Sequence, residues 1–155
     1  MDAQDRRILE ILQRNADVTN AELAKQVHMS PSSCLRRVKR LEDRGVITRR
    51  VALVDPEKVG RGLTSIIHVV LDKHGRAHMQ DFIRRLQDEP AVQHAYGVTG
   101  EADVVLILRL RDMKECARIN ERLFDNDPNV VRFHTHFAMQ SYKDDIAVSL
   151  DAAVW

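Results

Sequence analysis

Residues 19–44 constrain the fold of this chain more than any other stretch, because they have the pattern of two helices separated by a short turn. The first helix begins at a capping box, with Thr19 as the N-cap and Glu22 as the third helical residue. The second begins at Ser30, whose hydroxyl can accept from the first turn, and Pro31 suits the first helical position. Only two residues separate the patterns. This spacing predicts a helix-turn-helix.

The second helix pattern has an apolar side and a basic side. The apolar sector contains Cys34, Leu35, Val38 and Leu41. The opposite sector contains Ser33, Arg36, Arg37, Arg40 and Arg44. Because the arginine fork fits phosphate and the guanine edge, and a helix fits the major groove, this face is a candidate DNA-binding surface. The alternative is a solvated basic face on an ordinary surface helix. The predicted DNA-binding residues are Ser30, Ser32, Ser33, Arg36, Arg37, Arg40, Arg44 and Arg49.

The flanking segments support this prediction. Residues 2–15 form an amphipathic pattern with Asp2 as a possible N-cap, and this third helix can cover the other two. Gly45 is placed to end the second helix of the motif. Residues 48–54 are rich in β-formers and predict a strand carrying Arg49 and Arg50. Those arginines either contact flanking phosphates as a wing or decorate a linker strand.

Composition restricts the class of protein. The chain has 155 residues, of which 44% are hydrophobic and 30% charged, as in soluble globular proteins. Apolar runs are shorter than the roughly 20 residues that span a bilayer, and a charged amphipathic pattern stands where a signal peptide would begin. We therefore expect a cytoplasmic, nucleoid-associated protein with no membrane partner. Cys34 and Cys116 lack metal-ligand spacing and predict buried free thiols.

Charge divides the chain into two parts. Residues 1–62 carry 13 Lys and Arg against 9 Asp and Glu, whereas residues 63–155 carry 11 against 14. An Asp-Pro pair and two closely spaced glycines end the basic part, which places the predicted domain boundary at about residue 62. DNA would bind to domain 1–62. Domain 63–155 is expected to serve assembly or to bind a small ligand, because its negative charge would be repelled by phosphates.

The second part alternates strand and helix patterns in the order βαββαβ. Strands are predicted at residues 63–72, 92–98, 104–110 and 130–139. One helix pattern is marked by Met79, Phe82, Ile83 and Leu86, and the other by Met113, Cys116, Ile119, Leu123 and Phe124. Right-handed crossovers then give an α+β, ferredoxin-like domain with both helices on one face of an antiparallel sheet. The first strand is apolar on both sides, so we expect a second subunit to cover the open face.

Four motifs resemble the Lrp/AsnC family, the leucine-responsive and asparagine (feast/famine) regulators, over nearly the whole length. They are D-x-x-D-x-x-I-L at residues 2–9, S-P-S-S-C-L-R-R-V-K-R-L-E-D-R-G-V-I at 30–47, V-A-L-V-D-P-E-K-V-G at 51–60 and V-T-G-E-A-D-V-V-L at 98–106. The resemblance implies an N-terminal, winged helix-turn-helix DNA-binding domain and a C-terminal, ferredoxin-like effector domain. It also implies dimers that often assemble into octamers, with amino acids as effectors.

The resemblance places an effector pocket between subunits, around the turn at residues 98–103. The effector-binding residues carried over are Val98, Thr99, Gly100, Glu101, Ala102, Asp103, Thr135, His136, Phe137 and Ala138. Independently, backbone N–H groups in a tight turn can receive a carboxylate, and Asp103 can pair with an α-ammonium; a simple hairpin turn is the alternative. Relatives often have Gly where His28 stands, which implies a different turn geometry after the first helix of the motif. Many have Thr where Phe133 stands, and with His134 and His136 this leaves the particular amino acid open.

These patterns predict a sequence-specific, DNA-binding transcriptional regulator rather than an enzyme. Its partners would be double-stranded DNA, an amino-acid ligand and further copies of itself. No catalytic residue, metal or cofactor is expected, and a zinc site at His134 and His136 would need further ligands that the spacing does not provide. The remaining alternatives are a ligand-binding module of a metabolic enzyme and a DNA-packing protein without sequence preference.

Overall fold

Three helices are followed by a four-stranded sheet with two more helices in the computed structural model, which describes residues 1–72 and 76–150. The elements are α1 Ala3–Leu12, α2 Asn20–Gln26, α3 Pro31–Asp43, β1 Leu63–Leu71, α4 Arg76–Gln87, β2 Val92–Gly97, β3 Val104–Leu110, α5 Met113–Asn120 and β4 Val130–Phe137, with a π-helical turn at Glu121–Asp125 after α5. The α+β architecture and the βαββαβ order predicted for the second part are confirmed.

Side chains that cap the backbone fix both ends of the helix-turn-helix. Thr19 and Glu22 form the predicted capping box at α2, and Ser30 accepts from the backbone N–H of Ser33 at α3. After α3, Gly45 adopts φ +68° and donates to the carbonyl of Glu42, while the next backbone N–H donates to Leu41. This pair of bonds is a Schellman motif, in which glycine avoids the steric cost of the left-handed conformation.

The three N-terminal helices enclose one apolar core. Its buried residues are Ile8, Leu9, Leu23, Ala24, Val27, Cys34, Val38 and Leu41. Cys34 and Cys116 are both free and buried, as predicted, and burial raises the pKa of each thiol. Leu35 is the exception on α3, because 58% of its surface is exposed instead of packing with the other apolar residues of that helix. The sequence interpretation of Leu35 as a core residue was therefore wrong.

The segment after α3 forms no strand. Residues 48–55 have no regular secondary structure, so the predicted strand at 48–54 was wrong. A strand needs a hydrogen-bonding partner, and none of the described residues pairs with this segment. Several of its apolar side chains are exposed, among them Val51, Leu53 and Val54.

Two compact units divide the chain differently from the predicted boundary at residue 62. One contains Met1–Leu53 and the chain from Lys143 onward, and the other is Val54–Tyr142. In the first unit, Gln13 exchanges two hydrogen bonds with the backbone of Val148, at 3.1 and 2.6 Å, and Leu150 packs against the helical core. The C-terminal segment thus contributes to the N-terminal unit. At the start of the second unit, Arg61 pairs with Glu115 at 3.2 Å.

The second unit is a sheet with the strand order β2-β3-β1-β4. All neighbouring strands are antiparallel, which is the arrangement of a ferredoxin-like fold. Alternate residues of β1 and β3 enter a core shared with the helices, including Ile67, Val69, Leu106 and Leu108. Phe82 of α4 and Phe124 of the π-helical turn complete it. Ile83 and Met113, which the helix patterns had marked as apolar-face residues, are exposed.

The turn between α2 and α3 contains a strained residue. His28 has φ +54° and is the only non-glycine residue with positive φ among residues 1–72 and 76–150. The left-handed conformation costs a residue with a Cβ about 1–2 kcal/mol. Histidine therefore occupies a position whose backbone favours glycine.

We predict that His28→Gly raises the free energy of unfolding by about 0.5 kcal/mol, because relief of strain exceeds the extra entropy of glycine in the unfolded chain. His28→Val should lower it by about 1 kcal/mol or more, since β-branched residues fit this region worst. Lys25→Gly, inside α2, is the control and should lose about 1 kcal/mol. Urea titrations measure all three variants; equal stability of the Gly and Val variants at position 28 would contradict the prediction.

Candidate DNA-binding and effector sites

The buried side of α3 determines which residues it presents to solvent. Cys34, Val38 and Leu41 enter the core, so the opposite face is centred on Ser32, Arg36 and Lys39, which are all exposed. Neither Arg36 nor Lys39 forms an ion pair within the described parts of the chain. This face can offer a guanidinium, an ammonium and a hydroxyl to a ligand.

Arg37 and Arg40, by contrast, contact acidic residues of α1. Arg37 Nη1 lies 2.7 Å from a carboxylate oxygen of Asp2 and 2.7 Å from one of Asp5. Arg40 Nη2 lies 3.0 and 2.8 Å from the two oxygens of Asp5. The Asp5 residue is only 1% exposed. We call these four residues the α1–α3 ion cluster.

Electrostatics favour the charged forms of two members of this cluster, Asp2 and Arg37. The backbone N–H of Asp5 and the guanidinium of Arg37 hold the pKa of Asp2 below its usual value. Asp2 and Asp5 in turn raise the pKa of Arg37. A buried carboxylate such as Asp5 is stable only when paired and hydrogen-bonded, so Arg37 has a structural role in joining α1 to α3.

The other predicted DNA-binding residues lie at the two ends of α3. Ser30 is exposed but caps the helix, while Ser33 is half-buried. Arg44 is the C-cap, and both it and Arg49 are exposed. Beside Arg49, Arg50 pairs with Glu42 at 2.9 Å, which ties the segment after α3 back to the end of the helix.

Sequence reasoning missed two residues of the exposed face, Lys39 and Leu35. Lys39 follows Arg36 by three positions, and that spacing alone places both on one face once the core side is fixed. Leu35 was assigned to the core because its chemistry is apolar. Arg36 also lines a surface groove of about 210 Å³ together with Arg37 and Arg40. The groove is a basic concavity beside the exposed face.

In the second unit, the predicted effector turn is a tight hairpin connection between β2 and β3. The backbone N–H of Val98 donates to the carbonyl of Asp103 at 3.0 Å, and Gly100 has φ +114°. Gly100 is therefore required for the backbone conformation. The carboxylate of Asp103 accepts from the backbone N–H of Leu71 at 2.8 Å, and its own N–H donates to Val69. Asp103 thus also holds the turn against β1.

The structure does not bring the second effector segment to this turn within one chain. In β4, Phe137 lies opposite Ser65, six residues along β1 from the N–H that holds Asp103. At about 3.3 Å per residue, this is a separation of about 20 Å along the strand, and for Thr135, opposite Ile67, it is about 13 Å. The side chains also diverge: Thr135 and Phe137 face the helices, whereas His136 contacts His68 on the open face with ring centroids 5.3 Å apart. Ala138 is exposed just beyond β4.

Two family models match the chain. A winged helix-turn-helix DNA-binding model matches residues 1–48, and an Lrp/AsnC ligand-binding domain model matches residues 64–148. No helix within residues 1–72 and 76–150 is long and apolar enough to cross a membrane.

Solved structures and a curated relative agree with these matches. An AsnC-family transcriptional regulator from Agrobacterium tumefaciens superposes with a TM-score of 0.94 at 31% identity, over 99% of this chain and 100% of that one. A Neisseria meningitidis transcriptional regulator solved as a complex with L-Met gives 0.93 at 32% identity, over 97% of both chains. The Escherichia coli transcriptional activator DecR is 32% identical over 92% of this chain and 94% of its own.

We predict that Arg37→Ala lowers the free energy of unfolding by about 2 kcal/mol, because it leaves Asp5 buried with one fewer partner. Arg36→Ala is the matched control, one position away and exposed, and should stay within about 0.5 kcal/mol of the unaltered protein. Chemical denaturation of both variants measures the difference. Equal stability of the two would contradict a structural role for Arg37.

Proposed function

Because the chain belongs to the Lrp/AsnC family of transcriptional regulators, which are not enzymes, we propose that α3 reads double-stranded DNA and that an amino acid bound between two copies adjusts this binding. The observation that carries the proposal is the exposed face of Ser32, Arg36 and Lys39 on a helix whose opposite side is fixed in the core. The protein then acts in the cytoplasm, on the nucleoid.

The exposed face of α3 suits the major groove. Arg36 can donate two parallel hydrogen bonds to a guanine edge, and Lys39 can contact a base or a phosphate. Arg44 and Arg49 follow the end of the helix and supply positive charge for the adjacent backbone. Arg37 and Arg40 contribute mainly by orienting α3 through the α1–α3 ion cluster.

A homodimer is supported by apolar surface in the second unit. The helices cover one face of the sheet, and the other face carries Ile66, Val70, Val105 and Ile107, all only partly buried. Burying such a face against a second copy removes apolar area from water. A dimer would present two α3 helices to two DNA half-sites about one helical turn apart. Assembly of dimers into an octamer is the larger form that we propose.

An effector site between copies is supported by the separation of its two segments. The turn at 98–103 and the segment at 135–138 are too far apart within one chain to hold one small molecule, so a second copy would have to supply one of them. Exposed backbone N–H groups near Gly100 suit a carboxylate, and Glu101 or Asp103 suits an α-ammonium. An amino acid carries both groups, and a neighbouring structure contains L-Met. No metal or other cofactor is required.

DNA reading is tested by selecting a binding site from a random duplex library with the full chain. We predict that Arg36→Ala and Lys39→Ala each lower affinity for the selected site about tenfold or more, because each removes a donor to the groove. Arg36→Ala should also relax the sequence preference at one position of the selected site. Arg14→Ala, an exposed arginine at the end of α1, is the control. A library without any enriched sequence would contradict sequence-specific reading.

Effector binding is tested by calorimetric titration with the common amino acids, accompanied by light scattering to measure the assembled mass. We predict that at least one amino acid binds and changes affinity for the selected DNA site, as reciprocal coupling requires. Asp103→Asn should weaken this ligand about tenfold, because it removes the charge while keeping an oxygen that accepts from Leu71. Unchanged affinity in this variant would contradict a role for Asp103, and a monomer at all concentrations would contradict the shared site.

A further inference from the structure

One large apolar side chain lies uncovered on the DNA-facing side of α3. Leu35 is 58% exposed, whereas its sequence neighbour Cys34 and the next apolar residue, Val38, are buried. It is not one of the residues that form the apolar core of its unit. Leu35 therefore contributes little to the folding of the unit and retains most of its apolar surface for a binding partner.

Leu35 lies at the border between the apolar and the polar side of α3. Of its neighbours three and four positions away, Pro31 and Val38 are apolar, whereas Ser32 and Lys39 are polar, and Arg36 follows Leu35 in the sequence. Ser32, Arg36 and Lys39 form the polar side of this border. All three are exposed. An apolar partner for Leu35 must therefore itself lie within a polar, negatively charged surface. A second copy of this face fits poorly, because the cations of the two copies would repel each other.

The major groove of DNA provides one such partner. Base edges in the groove are hydrogen-bond donors and acceptors, except for the C5 methyl group of thymine, and phosphates line both sides. Leu35 is the fifth residue of α3, within the N-terminal half that contacts base edges in helix-turn-helix complexes. We propose that Leu35 selects thymine at one position of each half-site by packing against that methyl group. This inference rests on the proposed reading of DNA by α3.

The test replaces each thymine of the selected site, one at a time, with deoxyuridine, which lacks only the C5 methyl group. For the unaltered protein, one replacement in each half-site should weaken binding about fourfold, the effect expected for one buried methyl group. Leu35→Ala should weaken binding to the thymine site and lose the difference between thymine and deoxyuridine at that position. Leu35→Met, which keeps an apolar side chain of similar volume, should retain the difference.

Leu53→Ala is the matched control, because Leu53 is also an exposed leucine but lies outside the helix, and it should keep the full sensitivity to deoxyuridine. Melting temperatures should be unchanged in the variants, since position 35 does not pack in the core. An enriched site at which no deoxyuridine replacement changes affinity would overturn the thymine contact while leaving DNA reading intact. The thymine contact would also be overturned if Leu35→Ala remained sensitive to deoxyuridine, whether or not its oligomeric mass changed. Failure to enrich any sequence would refute DNA reading itself.

Discussion

The ionic contact between α1 and α3 is the interaction on which the DNA-binding unit depends. Asp5 is almost completely removed from water, and an unpaired carboxylate in that environment would be strongly unfavourable. Arg37 and Arg40 satisfy it, and the same contacts fix the rotation of α3 about its own axis. That rotation determines that Arg36 and Lys39 face solvent. Two arginines predicted from the sequence as DNA contacts, Arg37 and Arg40, thus also pair with acidic residues of α1, whereas Arg36 and Lys39 form no ion pair within the described residues.

Features set by local chemistry could be predicted from the sequence. The caps at Thr19 and Ser30 and the glycine stop at Gly45 depend on residues at most five positions apart, and the strand order follows from alternation and handedness. Features set by distant residues could not. The partners of Arg37 lie more than thirty positions away, and Leu35 is apolar yet exposed, while Cys34, Val38 and Leu41 form the buried side of the helix. The predicted strand at 48–54 had suitable residues and no partner strand.

The candidate effector site could not be predicted from one chain either, because its geometry depends on how copies of the chain associate. Residues that the family resemblance groups together lie on opposite sides of β1 and several residues apart along it, so no single chain gathers them around one ligand. If copies associate through the open face of the sheet, ligand binding is coupled to assembly. A ligand that binds one assembled form more tightly then raises the concentration of that form. The dual role of Asp103, which holds Leu71 as well as facing the turn, would make the geometry of the site sensitive to the end of β1.

The C-terminal segment packs in the helical unit, so the linker does not separate two consecutive domains. Gln13 and the core around Leu150 hold the far end of the chain, so the sheet unit is inserted into the sequence of the DNA-binding unit rather than appended to it. The chain therefore passes between the two units twice, once near residue 53 and once near residue 143. A fragment cut at the linker would therefore lack part of the domain that it was meant to isolate.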